Sequence, residues 1–288
     1  MTADRQREAA GLITAVAARL KRGDAGERRR EARLLLALAV DREDPVLPHE
    51  DIALDQAQAA HLDTLINRRN DGEPVSRLRG WREFYSLRFG LNAATLDPRP
   101  DSEVLVETGL MLAETMPAAI SIVDFGTGSG CLLLALLAHL PEARGIGVDV
   151  NPEAIAAARA NAESLSLAGR SRWSVSDWDS SLAEERFDLV ISNPPYIPRL
   201  EIDSLEPEVR LHDPLLALDG GDDGLVVWRL LLPVIAGRLN PGGRAVVEIG
   251  HGQAEDVTGL AIAAGLDTLS THADLAGRTR CLVLAKTA

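Results

Sequence analysis

Ile120-Ser121-Ile122-Val123-Asp124-Phe125-Gly126-Thr127-Gly128-Ser129-Gly130 is an apolar run that breaks into alternating glycines and passes straight into the leucine-rich segment 131–140. A short apolar run closed by turn residues reads as a buried strand, and the longer segment behind it as a helix. The expected bounds are 120–125 for the strand and 129–140 for the helix. Glycines at alternate positions let the backbone pass close under a ligand, and the helix N-terminus adds unpaired N–H groups. Gly126, Thr127, Gly128, Ser129 and Gly130 are therefore candidate ligand-binding residues. Their G-x-G-x-G spacing departs from the G-x-G-x-x-G of dinucleotide sites, which weakens a case for NAD.

Outward from this stretch, strands and helices alternate to the end of the chain, which is the pattern of an α/β fold with a mostly parallel sheet and helices on both faces. Further strands are expected at 145–150, 172–176, 187–192 and 244–249, with two more near 267–271 and 281–286, seven in all with the first. Helices are expected at 152–165, 225–239 and 253–264. The ends of successive strands carry polar or aromatic residues. Asp149 closes the second, placed either to accept ribose hydroxyls or to cap the helix after Asn151-Pro152. Asp177-Trp178 closes the third, where the indole either faces an adenine or packs half-buried. The fourth runs into Asn193-Pro194-Pro195-Tyr196. Each proline removes a backbone donor and restrains the residue before it, so this corner presents an amide and carbonyls in a narrow range of directions, suited to gripping a planar NH2 group.

Before residue 80 the apolar spacing is helical, at 8–20, 29–40 and 55–69, with a loop at Arg22-Gly23-Asp24-Ala25-Gly26. This predicts a small helical bundle over 1–75 with a recognition role. Arg28-Arg29-Arg30 reads as a solvated helix face or as a contact for an anionic partner. Residues 83–89 and 91–96 then alternate as a hairpin turning near Gly90, within a linker spanning 76–100. Its Phe84, Tyr85 and Phe89 either pack or face a substrate. The stiff Pro98-Arg99-Pro100 follows, Asp101 or Ser102 caps a helix over 103–116, and 101–288 form the catalytic domain.

The chain has 288 residues, 46% hydrophobic and 25% charged, an ordinary globular composition. No apolar run approaches the roughly 20 residues of a membrane span, and the charged start MTADRQREAA is unlike a secretory signal, so a cytoplasmic protein is expected. Cys131 and Cys281 have no metal-ligand spacing around them and read as small buried residues, and the six histidines are scattered, so no metal is expected. Residues 1–80 hold 14 basic and 14 acidic side chains, leaving 16 basic and 29 acidic for the rest, so the whole net charge of −13 falls on the catalytic part. That is a poor match for a nucleic-acid backbone.

Together, E-F-Y-S-L at 83–87, P-R-P-D-S-E at 98–103, D-F-G-T-G-S-G at 124–130, N-P-P-Y at 193–196, E-P-E-V at 206–209, A-L-D-G-G-D-D-G-L at 217–225 and D-L-A-G-R at 274–278 resemble the HemK/PrmC family over nearly the whole chain. The resemblance implies a Rossmann-like domain dependent on S-adenosylmethionine behind a small N-terminal helical domain. It implies methylation of the side-chain amide of the glutamine in the Gly-Gly-Gln motif of class I peptide-chain release factors, with no metal and no direct nucleic-acid partner. On that pattern Asn193, Pro194, Pro195 and Tyr196 are catalytic: the Asn193 side-chain oxygen and the Pro194 carbonyl accept the two amide N–H groups, and Tyr196 packs against the flat amide. Gly126 to Gly130, Asp149, Trp178 and Asn193 would hold the methyl donor. The tetrapeptide is shared with enzymes that methylate adenine or guanine amino groups, which stays as the alternative. A third reading makes the chain a binding module whose N-P-P-Y is only a turn. Asp97 stands where the family often has an apolar residue, and 209–212 is a variable stretch.

Overall fold

The computed structural model describes residues 7–274 and 276–287; the start 1–6 and Leu275 of the D-L-A-G-R run lie outside them. Contacts divide the chain into two units, Met1–Gly80 with Pro207–His212, and Trp81–Glu206 with Asp213–Ala288.

The first unit is helical. After β1 (Arg7–Glu8) come α1 (Ala9–Arg19) and α2 (Ala25–Ala39); β2 (Asp51–Ile52) pairs antiparallel with β1, and α3 (Gln56–Asn70) and α4 (Val75–Arg79) complete it. Ile13, Val16, Leu35, Leu36, Leu65 and Ile66 meet in its core. Helix α2 begins four residues before the expected start, inside the expected glycine loop, because Asp24 and Glu27 form a capping box. The Asp24 carboxylate accepts from Gly26 N at 2.7 Å and Glu27 N at 2.8 Å, while Glu27 accepts from Asp24 N at 2.8 Å. Asp55 and Gln58 start α3 in the same way. Arg69 is buried and bonds Glu31 through both Nε and Nη2, at 2.9 and 2.7 Å, with Glu208 at 2.6 Å on the same guanidinium. Arg29 and Arg30 are exposed on α2, as both readings of the arginine run require.

The second unit opens with a hairpin, β3 (Trp81–Phe84) and β4 (Leu87–Gly90). The expected turn near Gly90 is corrected: the turn is Tyr85-Ser86, both at positive φ (50° and 59°), and 91–96 is not a strand. Phe84 and Phe89 lie fully buried in the core of this unit. Gly90 ends β4 against α7 (Pro152–Ser164), exchanging backbone bonds with the Asn161 amide at 2.8 and 3.1 Å.

The remaining elements are α5 (Glu103–Ala113), β5 (Ser121–Phe125), α6 (Cys131–His139), β6 (Arg144–Asp149), β7 (Ser171–Val175), β8 (Phe187–Ser192), the single turn α8 (Pro207–Arg210) that packs with the first unit, α9 (Val226–Arg238), β9 (Leu239–Glu248), α10 (Ala254–Ala263), β10 (Leu266–Ala273) and β11 (Thr279–Lys286). They build one seven-stranded sheet in the order β10-β11-β9-β8-β5-β6-β7. Strands β5 to β9 run parallel, and β11 pairs antiparallel with both β9 and β10. Along β8, Leu189 and Ile191 join one core layer and Val190 the other, with α5 and α6 on the first side and α9 and α10 on the second. Both faces are covered, which is why these strands are unbroken apolar runs. Strand order reverses between β5 and β8, and ligands of such sheets sit at the carboxyl ends of the strands beside that reversal. The glycine loop leaves β5 there and N-P-P-Y leaves β8.

Candidate active site

A cavity of about 360 Å3 opens at that point. Among the expected ligand residues, Gly126, Thr127, Gly128, Ser129, Asp149, Trp178, Asn193 and Pro195 line it; Gly130, Pro194 and Tyr196 do not.

The three loop glycines have two different reasons to be glycine. Gly126 and Gly128 sit at φ 71° and 54° with open space where a Cβ would point. Gly130, at φ 78°, would place a Cβ 2.8 Å from the Trp173 ring, so it makes room for packing beneath the loop. Four N–H groups of the loop are taken up by the protein itself. Gly126 N and Thr127 N donate to the Val148 carbonyl at 2.9 and 3.0 Å, Gly128 N to Asp149 Oδ2 at 2.9 Å, and Gly130 N to the Thr127 carbonyl at 2.8 Å. The loop offers a ligand its Cα surface and has spent these donors on the protein, unlike a phosphate cradle.

Asp149 both orders this loop and takes a bond from Asn151 N at 2.9 Å, while burial moves its carboxyl above the usual range. The helix cap itself is Asn151, whose side chain accepts from Glu153 N. Beneath, the Thr127 hydroxyl donates to Asp124 at 2.6 Å, and desolvation lifts the fully buried Asp124 carboxyl to about 7. Trp178 lines the cavity and also packs on the core, held at a positive φ of 51°.

The N-P-P-Y corner is braced from several elements. The Asn193 amide Nδ2 donates to Ser102 Oγ at 3.2 Å, Ser102 Oγ donates to Glu248 Oε2 at 2.5 Å, and the Tyr196 hydroxyl donates to Glu248 Oε1 at 2.9 Å. Neither Ser102 nor Asp101 caps α5, contrary to expectation: Ser102 turns to Glu248, and Asp101 pairs with Arg280 at 3.2 Å. Backbone contacts close the other side. Ile197 N donates to the Leu218 carbonyl and Gly220 N to the Ile197 carbonyl, and the Gln253 amide donates to the Tyr196 carbonyl at 3.0 Å. A Cβ on Gly220 would lie 2.7 Å from the Tyr196 carbonyl carbon, and one on Gly224 2.6 Å from its oxygen. Gly220 and Gly224 are thus set by the close approach of N-P-P-Y, whereas a Cβ on Gly221, at φ 87°, would meet the Val226 side chain.

The connector at 97–102 is pinned by charge, which the sequence did not disclose. Asp97 is 1% exposed and binds Arg82 at 3.0 Å; its N–H donates to Asp213 at 3.2 Å, and Asp213 also pairs with Arg99. This buried network replaces the apolar residue expected at position 97 and holds Pro98, Arg99 and Ser102 along the cavity. Val150, Pro214 and Leu216 are further lining residues that no motif flagged. Of the aromatic residues left open between packing and substrate, Phe84 and Phe89 are core, and Tyr85 stacks edge-on against His139 at 5.1 Å.

Residues 12–80 match the PrmC N-terminal domain and residues 103–205 the methyltransferase small domain. The release factor glutamine methyltransferase of Rhodospirillum rubrum is 45% identical over 278 residues, 96% of this chain and 85% of that one. The chain belongs to the release factor glutamine methyltransferase family. Another release factor glutamine methyltransferase, from Caulobacter vibrioides, is 42% identical over 95% of this chain and 94% of its own length. Among solved structures, the release-factor-specific protein-(glutamine-N5) methyltransferase of Alicyclobacillus acidocaldarius overlaps loosely, at TM-score 0.39 and 26% identity over 66% of this chain and 94% of that one. The family assignment rests on the sequence relatives, and the sheet order stands on its own register.

Proposed function

We propose that this chain transfers a methyl group from S-adenosylmethionine to the side-chain amide nitrogen of the glutamine in the Gly-Gly-Gln motif of class I release factors, working in the cytoplasm. The relatives' activity supports the substrate, and the bond from Asn193 Nδ2 to Ser102 carries the chemistry, because it leaves the Asn193 oxygen to face the cavity as an acceptor. The cavity fits the methyl donor: its volume lies in the range of small-ligand pockets, Asp149 offers lone pairs suited to ribose hydroxyls, Trp178 and Val150 offer apolar surface to a purine, and the N–H groups of Gly126, Thr127, Gly128 and Gly130 already bond the protein's own acceptors.

S-adenosylmethionine, when bound, supplies an electrophilic methyl carried on a sulfonium. An amide nitrogen is a weak nucleophile because its lone pair is shared with the carbonyl. The Asn193 oxygen accepts one of its N–H groups and, on the family pattern, the carbonyl of Pro194, which is buried beside the cavity lining, accepts the other; together they fix its direction and stabilise the positive charge that develops on it. The nitrogen gains the N–CH3 bond as the S–CH3 bond breaks, and it then gives up one proton. Pro195 walls the cavity, while Tyr196, whose hydroxyl bonds Glu248, packs against the flat amide on the family pattern. The helical unit helps to dock the protein substrate.

Incubation with methyl-labelled S-adenosylmethionine and a release factor tests this. Label on the release factor that disappears when the acceptor glutamine is replaced supports the assignment; label unaffected by that replacement overturns it.

A further inference from the structure

Glu248 ends β9 at 2% exposure, bonding one end of the N-P-P-Y corner directly and reaching the other through Ser102. Through Oε1 it receives the Tyr196 hydroxyl, and through Oε2 the Ser102 hydroxyl, whose oxygen in turn receives Asn193 Nδ2. A primary amide in a site has two orientations differing by a half-turn, one presenting oxygen and the other NH2. Only the first accepts a substrate N–H. The choice falls to whatever bonds the other half of the amide.

Ser102 settles it if its proton is committed elsewhere. At 2.5 Å its bond to Glu248 has the length of a charge-assisted O–H···O− contact, the strong kind. With that proton spent on a carboxylate, Ser102 Oγ is left as an acceptor, and an acceptor demands NH2 from Asn193. No donor meets the Asn193 oxygen among the described residues, so it stays available on the cavity side. A buried carboxylate is costly unless its oxygens are satisfied; burial moves the Glu248 carboxyl above its usual range, and the Ser102 and Tyr196 hydroxyls on its two oxygens oppose that shift. Arg280, bonded to Asp101 at 3.2 Å and Asp274 at 3.3 Å, places a compensating charge beside it.

We propose that Glu248 and Ser102 are positioning residues that set the orientation of the Asn193 amide, so that it accepts from the methyl-accepting nitrogen. The proposal rests on the reading of Asn193 as that nitrogen's acceptor. Glutamine at 248 can donate to Ser102 through its own NH2. The Ser102 proton is then released toward Asn193, and the amide turns over to present NH2, a donor facing a donor.

The test compares wild type, E248Q, S102A and the double variant under saturating S-adenosylmethionine, with donor affinity measured by calorimetry. Each single variant is expected to lower kcat by roughly tenfold or more, short of the ~10²–10³ lost when a direct transition-state contact is removed, with the donor Kd within about twofold. The double variant is expected to be no slower than E248Q, because both act through one hydroxyl. In parallel, the Asn193 side-chain NH2 resonances, assigned by their loss in N193D, shift in both single variants. Unchanged kcat in either single variant, losses that multiply in the double variant, or unmoved Asn193 resonances each overturn the proposal. A wild-type protein that leaves the release-factor glutamine unlabelled overturns the substrate assignment instead, and the resonances still decide the amide's orientation.

Discussion

Gly128 N lies 2.9 Å from Asp149 Oδ2, so the carboxylate that closes β6 also holds the loop that closes β5. Asp149→Ala removes both the tether and the lone pairs facing the cavity. Donor affinity measured by calorimetry should fall by roughly 10²-fold, equivalent to the ~3 kcal/mol that a charged hydrogen-bonding partner is worth. Asp149→Asn, which keeps one acceptor oxygen, should lose less.

Asn193→Ala deletes the acceptor and leaves the loop, Asp149 and Trp178 untouched. The kcat should drop by ~10²–10³ while S-adenosylmethionine still binds within about threefold. Turnover that survives this change would return N-P-P-Y to the status of a plain turn.

Gly220→Ala isolates close approach from backbone strain, since Gly220 is not at positive φ while its Cβ would sit 2.7 Å from the Tyr196 carbonyl carbon. Backbone must move, at a cost of about 1–3 kcal/mol. Thermal unfolding should show the loss, and activity should fall further than stability because the moved segment carries Asn193. Gly126→Ala has open space but φ 71°, and should cost only the conformational strain of about 1–2 kcal/mol.

Asp124 gives a pH dependence. Its folded-state carboxyl is pushed up to about 7, first by desolvation and then by Asp149, with the Thr127 hydroxyl opposing them. The native state therefore holds a proton that the unfolded chain releases near ~3.9. The stabilisation is complete below that value and is lost as pH rises through about 7. Asp124→Asn carries no such proton. The stability of the ligand-free wild type relative to this variant should fall by up to about 4 kcal/mol between pH 4 and 7, at 1.36 per unit, measured by denaturant titration. A constant difference would show that Asp124 is ionised throughout.

Alternation of apolar runs made the parallel sheet legible, because strands buried on both faces need no polar residues. Phe187–Ser192 falls where it was expected to the residue. The hairpin turn was misplaced because Tyr85-Ser86 lacks the Asn or Gly that positive φ favours; Glu103, which accepts from Tyr85 N at 2.9 Å, helps to hold it. The capping box of Asp24 and Glu27, three residues apart, is a local signal that begins inside the 22–26 loop and marks the start of α2. At the site, residues at strand ends were readable because β-strand ends in such sheets meet. Ser102 and Glu248 were not, being 146 residues apart and joined only by the folded β9 and α5. The same holds for Asp97 and Asp213, a buried pair of positions that composition gives no reason to associate.

The loop after β5 has a consequence for competition inside a cell. Adenosine there circulates mostly as its phosphates, which carry the same purine and ribose as the methyl donor. Gly126, Thr127, Gly128 and Gly130 have their N–H groups bound to the protein's own acceptors, and two of those acceptors belong to residues 148 and 149 of the neighbouring strand. A polyphosphate arriving at this loop finds no backbone donors from these residues and the Asp149 carboxylate close by. On the proposed reading of this site, ATP should compete poorly with S-adenosylmethionine, and competition calorimetry would check it.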